Sequence, residues 1–255
     1  MLDIHSHILQ GIDDGAEDLE TSLEMLKMAK EENINSIIAT PHYYRGHYEN
    51  DYESVLKHVE KINEKAVKNK VDIKVFPGQE VFLDKYSPKL YKEGIIKGLN
   101  NSRFMLVEFS MMNMPKDILD IIYEIRILGV VPIIAHPERY KYIIETPSNI
   151  NAFIKEGCLF QINTGSIRGV FGGDVKKTSE TLIKHGICNF VASDAHGIGR
   201  RCPGILPTLK RVKDISPKVY DNLEENCKFL LEDKNIEFDF EEIKEKRSFF
   251  SFFKK

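Results

Sequence analysis

The 255-residue chain contains no tryptophan and only 4 cysteines, Cys158, Cys188, Cys202 and Cys227. Thiols so widely spaced supply neither a disulfide framework nor the paired pattern of a thiolate metal site, which suits a reducing compartment. Excess charge of one sign is missing too: 36 Lys+Arg face 39 Asp+Glu, for a formal net charge of -3. The chain as a whole therefore has no field that would gather nucleic acid. No apolar run approaches the roughly 20 residues needed to cross a bilayer, and the opening Met1-Leu2-Asp3-Ile4-His5 lacks the basic start and apolar stretch of a secretion signal. A cytoplasmic protein without nucleic-acid partners is expected. With 16 Gly and 10 Pro there is no low-complexity linker, so residues 1–255 are expected to form one domain.

Several catalytic motifs are equally absent. A thiolate phosphatase needs an arginine at the far end of the short phosphate-cradling loop that its cysteine begins. Here the corresponding positions hold Thr164, Asp194, Thr208 and Asp233. The chain has no Gly-Lys-Ser/Thr phosphate loop, no His-Glu-x-x-His helix and no Gly-x-Ser-x-Gly elbow. Gly169-Val170-Phe171-Gly172-Gly173 is glycine-rich but lacks the dinucleotide fingerprint, and reads as a loop.

What is present is a metre. Strand-like runs at Leu2 to His5, Ser36 to Ala39, Ile73 to Pro77, Phe104 to Glu108, Val130 to Ala135, Leu159 to Asn163 and Phe190 to Ala192 alternate with segments of helical pattern. Leu19 to Glu32, Pro115 to Leu128 and Lys218 to Leu231 are such helices. The runs end at intervals of about 27 to 38 residues, near the roughly 30 that a βαβ unit takes, so a closed or nearly closed parallel barrel of seven strands is expected. A short alternation at Ile236 to Phe240 reads as a surface strand or loop.

The chemistry-bearing residues follow the same metre. His5 and His7 close the first run, and period-2 geometry points both to one side. His42 ends the second run, Glu80 follows the third, Glu108 ends the fourth, His136 the fifth, and Asp194 and His196 the seventh. Five of the 8 histidines thus sit at the carboxyl ends of strands, the face at which parallel barrels build their sites. A lone His-x-His is more often a pair of ordinary imidazoles, and buried ion pairs are the plain alternative. So regular a correlation with strand ends favours a metal cage instead. Imidazoles and carboxylates without thiolates suit Mn²⁺, Fe²⁺ or Zn²⁺, and there are more of them than one ion takes, so two or three clustered ions are expected.

Asp3-Ile4-His5-Ser6-His7-Ile8-Leu9-Gln10-Gly11-Ile12-Asp13-Asp14-Gly15-Ala16, with Ala39-Thr40-Pro41-His42, Ala135-His136-Pro137-Glu138-Arg139 and Ala192-Ser193-Asp194-Ala195-His196, resembles the polymerase and histidinol phosphatase (PHP) superfamily. Within it the similarity is to the bacterial tyrosine-protein phosphatases linked to capsule and exopolysaccharide synthesis, and it spans residues 2 to about 230. The resemblance implies an α/β fold, a distorted (β/α)7 barrel of the PHP type, holding three divalent ions, with Mn²⁺ foremost and Fe²⁺, Zn²⁺ or Mg²⁺ as alternatives. Carried over residue by residue, His5, His7, Glu80 and Asp194 would surround one ion. Glu80, Glu108 and His136 would hold the second, and Asp14, His42 and His196 the third. Asp13 would be an outer or turn residue. Arg139 and Arg201 stand where the family has phosphate-binding arginines, and a guanidinium fork matches phosphate oxygens; Arg200, beside Arg201, competes for the second role.

On this reading a metal-activated hydroxide attacks phosphotyrosine in line while Arg139, Arg201 and the remaining ion neutralise the equatorial oxygens. The phenol leaving group, with a pKa of about 10, needs little acid, and His196 or a bound water would give what is required. The implied substrate is the tyrosine-rich tail of a membrane-bound bacterial tyrosine autokinase, met at the inner face of the membrane. Competing readings are a small-metabolite phosphatase of the histidinol-phosphate type, a phosphodiesterase, and a non-catalytic metal-stabilised scaffold that binds a kinase. Tyr43, Tyr44, Met111, Met112 and Met114 are expected to line a slot for the tyrosine ring or to pack on a helix. The basic-aromatic tail, residues 244–255, would lie on an anionic membrane, pair with another copy as a homo-oligomer, or simply rest on its own barrel.

Overall fold

The computed structural model describes residues 1–237 and 239–244. Among the described residues ten strands are found where seven runs are expected: β1 (Leu2–Ser6), β2 (Ser36–Ala39), β3 (His42–Tyr44), β4 (Tyr48–Glu49), β5 (Lys74–Pro77), β6 (Glu80–Phe82), β7 (Phe104–Glu108), β8 (Val131–Ala135), β9 (Leu159–Asn163) and β10 (Phe190–Ala192). The surplus has a local cause. The second and third runs each break in two, β2 from β3 at Thr40-Pro41 and β5 from β6 at Gly78-Gln79, and β4 is the return arm of a short hairpin on β3.

Pro41 has no N–H for a ladder and holds Thr40 extended. Thr40 instead ties back to β1, its N–H donating to the Ser6 carbonyl at 2.9 Å and its hydroxyl accepting from the Ser6 N–H at 3.0 Å. At the other break a Cβ on Gly78 would lie 2.7 Å from Ile38 Cγ2 and 2.8 Å from Leu99 Cδ2, so only glycine lets the strand pass at this depth. Gln79 is buried there, donating to the Asn50 and Ile95 carbonyls and accepting from the Lys97 N–H. Both kinks deliver their next residue to the same place, because His42 and Glu80 are register partners across β3 and β6.

The strands pair as two sheets, β1-β2-β5 and β10-β9-β8-β7-β6-β3-β4, with every pairing parallel except the β3–β4 hairpin. The ring of the expected barrel is traced where the split strands run on from one sheet to the other. It is traced again where β1 meets β10 through two main-chain bonds, His7 N–H to the Ala195 carbonyl at 2.8 Å and Asp194 N–H to the His5 carbonyl at 2.9 Å. The architecture is α/β, and the ladders do not close it.

Helices α1 (Leu19–Glu31), α2 (Tyr52–Lys68), α3 (Ser87–Lys92), α4 (Ile118–Ile127), α5 (Lys141–Glu145), α6 (Ile150–Lys155), α7 (Thr164–Arg168), α8 (Gly173–Lys184), α9 (Leu206–Ile215) and α10 (Pro217–Leu231) fill the connections. Asp18, Asp51 and Ser216 cap α1, α2 and α10 by accepting from the third residue on. The fourth helix begins three residues later than the expected Pro115, the preceding residues forming a turn. Met105, Val107, Ile134, Phe160, Ile162 and Val191 belong to the large core shared with the helices. Phe104, Leu106, Ile133, Ala135, Leu159, Phe190 and Ala192, of the opposite parity, form a second cluster. Continued past the apolar residues, that second face carries Glu108, Gln161, Asn163 and Asp194. No strand is found among the described residues of Ile236 to Phe240, and the tail beyond Lys244 lies outside the described residues. No helix among the described residues is long and apolar enough to cross a membrane.

Candidate metal centre

Nine side chains expected from the sequence converge at the carboxyl ends of the strands. His5 lies in β1 and His7 just past it, Glu108 ends β7, and His136 follows β8. Asp194 and His196 come from the loop after β10, and Asp14 from the loop after β1. His42 and Glu80 open β3 and β6 rather than closing the runs before them, a consequence of the kinks. His136 and Asp194 both turn their backbone into the left-handed region, at φ 36° and 51°, where a residue with a Cβ is strained and where functional positions concentrate.

Glu80 is the hub. One of its carboxylate oxygens lies 3.3 Å from His5 Nε2, 3.2 Å from His7 Nε2 and 3.2 Å from His42 Nδ1, and the other lies 2.9 Å from His136 Nε2. Glu108 reaches His42 Nδ1 at 3.2 Å and His136 Nε2 at 4.0 Å. Asp14 faces His42 Nε2 at 3.3 Å and His196 Nε2 at 3.4 Å. Asp194 Oδ1 faces His5, His7 and His196 nitrogens at 3.4, 3.6 and 3.5 Å, and it is buried without a hydrogen-bond donor.

The donor atoms gather as His5, His7 and Glu80; as His42, Glu80 and Glu108; and as His7, Asp14, His42 and His196, each group within 4.8 Å. This overlaps the partition that the resemblance implies but differs from it: His42 in place of His136 joins Glu80 and Glu108, Asp194 stands outside the His5 group, and His7 joins the Asp14 group. His42 faces two groups, one with each ring nitrogen.

The spacing fits a cation. Ligands about 2.1 Å from a common ion stand about 3.0–3.4 Å from one another, the separations seen here. The ring tautomers fit as well. His5 Nδ1 meets Gln161 Oε1 at 2.9 Å, His7 Nδ1 meets Asp13 Oδ2 at 2.7 Å, and His196 Nδ1 meets the Asp194 carbonyl at 3.0 Å. Each outer acceptor holds the proton on Nδ1 and leaves the Nε2 lone pair for the cage.

Electrostatics points the same way. Burial alone would lower His7, yet the Asp13 carboxylate pushes it up to about 9. Burial is likewise outweighed at His42, which the charge of Glu80 and hydrogen bonds to Asp14 and Glu108 push up to about 12. His196 falls to about 4 through burial and the charge of His7. Burial would raise Glu80 and Asp194, but imidazole charge holds both below the usual carboxylate range, with Arg201 adding to Asp194. Positive charge in the cage is what these carboxylates are arranged to receive.

Arg139 and Arg201 both reach Asp194 Oδ2, at 3.1 and 2.7 Å. Arg139 also lies over the Phe171 ring, 4.5 Å from its centroid. Arg200 turns away and donates to the Val170 carbonyl, so Arg201 is the arginine brought to the cage. Two residues escape the sequence reading in their actual roles. Gln161 and Asn163 form a chain in which Gln161 orients His5 and donates to Asn163, and Asn163 donates to Asp194 Oδ2 at 2.6 Å. Asp13, expected as an outer or turn residue, orients His7 and also accepts from the His42 and Gly15 N–H groups. The strand parity of Gln161 and Asn163 with inward Leu159 was the available signal.

The expected ring slot needs correction. Tyr43 is 5% exposed and part of the core, because strand alternation turns it away from His42 and Tyr44. Tyr44 stacks on Phe82 and His47, Met111 and Met114 pack on the core, and Met112 alone of the three methionines is exposed.

The family model for capsular polysaccharide synthesis, CpsB/CapC, matches residues 1–230. The chain is 34% identical over 238 residues to the tyrosine-protein phosphatase YwqE of Bacillus subtilis, covering 92% of this chain and 93% of that protein. It is 30% identical over 215 residues to the tyrosine-protein phosphatase CpsB of Streptococcus agalactiae, covering 82% and 88%. Among solved structures, one from the metal-dependent tyrosine phosphatases YwqE of Bacillus subtilis and CpsB of Streptococcus pneumoniae superimposes with a TM-score of 0.92 at 32% identity, covering 96% of this chain and 100% of that one. A variant of an organophosphorus hydrolase, with a TM-score of 0.55 at 10% identity, shares the fold alone.

Proposed function

The chain belongs to the CpsB/CapC capsular polysaccharide synthesis family, and from that membership and the cage we propose that it is a metal-dependent protein-tyrosine phosphatase. The observation that carries the reading is the convergence of five imidazoles and four carboxylates on Glu80 and Asp194, with Arg139 and Arg201 fastened at its edge. His5, His7 and Glu80 with Asp194 would hold one ion, Glu80 and Glu108 with His42 or His136 a second, and Asp14, His42 and His196, with His7 beside them, a third. Imidazole and carboxylate without thiolate suits Mn²⁺, Fe²⁺ or Zn²⁺, of which the family resemblance puts Mn²⁺ first.

When bound, such ions act as Lewis acids and bring the pKa of a coordinated water from 15.7 to about 7. Asp13, Asp14, Glu80, Glu108 and Asp194 face Arg139 and Arg201 and imidazoles that carry protons in the metal-free cage, and divalent cations in place of those protons would add the positive charge that draws in a phosphate dianion. Arg139 and Arg201 exchange Asp194 Oδ2 for phosphoryl oxygens, a shift their forks can make without leaving the site. Asn163 keeps Asp194 in place meanwhile. His196, neutral at physiological pH, serves as a ligand rather than as an acid, and the phenol departs with little protonation.

The substrate is phosphotyrosine on a protein, and a membrane-bound bacterial tyrosine autokinase, approached from the cytoplasm, is the partner that fits. Metal-loaded enzyme should hydrolyse a phosphotyrosine peptide in preference to histidinol phosphate and to a phosphodiester, and lose turnover on chelation. Arg139→Ala should cut kcat/KM about 10²-fold with metal content unchanged. Faster turnover of either competing substrate, or full activity in a metal-free preparation, would overturn the reading.

A further inference from the structure

The cage has an open side, and its exposure shows where. The side chains of His5, His7, Glu80 and Asp194 are at most 1% exposed, whereas Asp14 is 48% exposed and His42 16%. Asp14 and His42 thus form one open side of the cage, the partly exposed Arg139 and Arg201 forming another, and a group attached to a bound phosphoryl can leave past Asp14 and His42. Tyr48 stands at that exit. Its ring is stacked on His42, 5.8 Å between centroids and 18° from parallel, yet remains 37% exposed, so one face or edge is spent on the ligand and the rest is open to a guest.

Its position is secured by the hairpin. Tyr48 pairs with Tyr44 across β3 and β4, and the His47 N–H bonds the Tyr44 carbonyl at 2.9 Å. Glu49 accepts from the Gly46 N–H at 2.8 Å. Asn50 clamps the base by donating to the Ile12 and His42 carbonyls, and Arg45 pairs with Asp84 at 2.8 Å. A two-strand hairpin pinned at its turn, base and flank holds a rigid aromatic surface, which loses little entropy on binding.

Resting on the phosphatase reading above, we infer that Tyr48 is a specificity-determining residue: its exposed ring stacks on the aryl group of the bound phosphotyrosine and selects aryl over alkyl phosphoesters. Offset or edge-on aromatic pairing is worth enough to discriminate a ring from an alkyl chain, and it adds nothing for a ligand that has no ring. A residue that merely props His42 would affect both classes alike.

The test uses metal-loaded wild type, Tyr48→Ala and Tyr48→Phe, with metal content measured for each. Calorimetric titration with benzylphosphonate and methylphosphonate reads binding without turnover. Tyr48→Ala should weaken benzylphosphonate roughly three- to tenfold and leave methylphosphonate and metal content unchanged, while Tyr48→Phe keeps wild-type affinity. With a phosphotyrosine peptide the loss should appear in KM, with kcat within about twofold. Equal weakening of both phosphonates, or no change in either, overturns the role of Tyr48 while leaving the enzyme a phosphatase. Wild type that turns over no aryl phosphate removes both readings.

Discussion

Asp13 shows how much of a metal centre lies one bond outside it. Its Oδ2 is 2.7 Å from His7 Nδ1 and 3.1 Å from the His42 N–H, so one carboxylate fixes a ring and the start of β3 together. Asp13→Asn keeps the shape but removes the charge that favours the Nδ1 proton. Metal affinity should fall about 10- to 100-fold, which competition against a chromophoric chelator would measure; an unchanged affinity would mean that His7 is oriented by packing alone. The candidate ligands other than Asp14 stood out in the sequence because charged residues and histidines at strand ends break an apolar pattern, whereas Asp14, in a loop, was reached only through the family resemblance. Gln161 and Asn163 were not, since a neutral amide in a strand has no such contrast and its value here depends on partners 156 and 31 residues away. Tyr48 was hidden for a similar reason. It lies on a two-residue strand too short to show a period, and only the stacked His42 reveals its place.

At the scale of elements, the loop from His7 to Ala16 is where sequence and geometry bind each other most tightly. The Gly11 N–H donates to the Ala16 carbonyl and the Ala16 N–H to the His7 carbonyl, at 2.8 and 3.0 Å. This folds Asp13-Asp14-Gly15 back over β1. A Cβ on Gly15 would lie 2.1 Å from the His7 carbonyl oxygen and 2.5 Å from His7 Cβ, contacts that no rotamer change relieves. Gly15→Ala must therefore lift the loop, carrying Asp14 from His42 and His196 and Asp13 from His7. We expect a loss of about 1–3 kcal/mol in denaturant unfolding together with less bound metal; a variant with wild-type stability and metal content would contradict the packing described. The Asp-Asp-Gly pattern was visible in the sequence, but the reason for its glycine was not, because the obstructing atoms belong to a residue eight positions earlier. The same holds for the split runs. Their apolar content gives each strand's existence, whereas the break at Gly78 is set by Ile38 and Leu99, which only the fold brings near.

Considered whole, the molecule is a ring whose ladders leave gaps, and the cage lies across the most important of them. β1 and the end of β10 meet in one isolated bridge, Ser6 with Ala195, and a few main-chain and Ser193 hydrogen bonds, while His5 and His7 reach Asp194 across that seam. Ions bound there would tie β1, β3, β6, β7, β8 and β10 at one end, so their removal should lower global stability as well as activity. In their absence protons take part of their place, and the sign of the pH dependence follows. Folded His7 titrates at about 9 against about 6.5 in the unfolded chain. Its contribution is therefore complete below pH 6.5 and disappears as pH rises through 9. His42, pushed up to about 12, keeps its proton in the folded cage across that window while the unfolded imidazole loses it above about 6.5, so it steepens the same fall. Ion binding needs neutral imidazoles, so its own stabilisation grows over the same range. The metal-free protein should lose on the order of 10 °C in Tm between pH 6.5 and 9, while the loaded protein loses less and the gap between them widens. Thermal unfolding with and without chelator at both pH values would check this. Curves that remain parallel would show that His7 does not carry its proton into the folded, metal-free cage, and that the seam between β1 and β10 is held by packing rather than by charge.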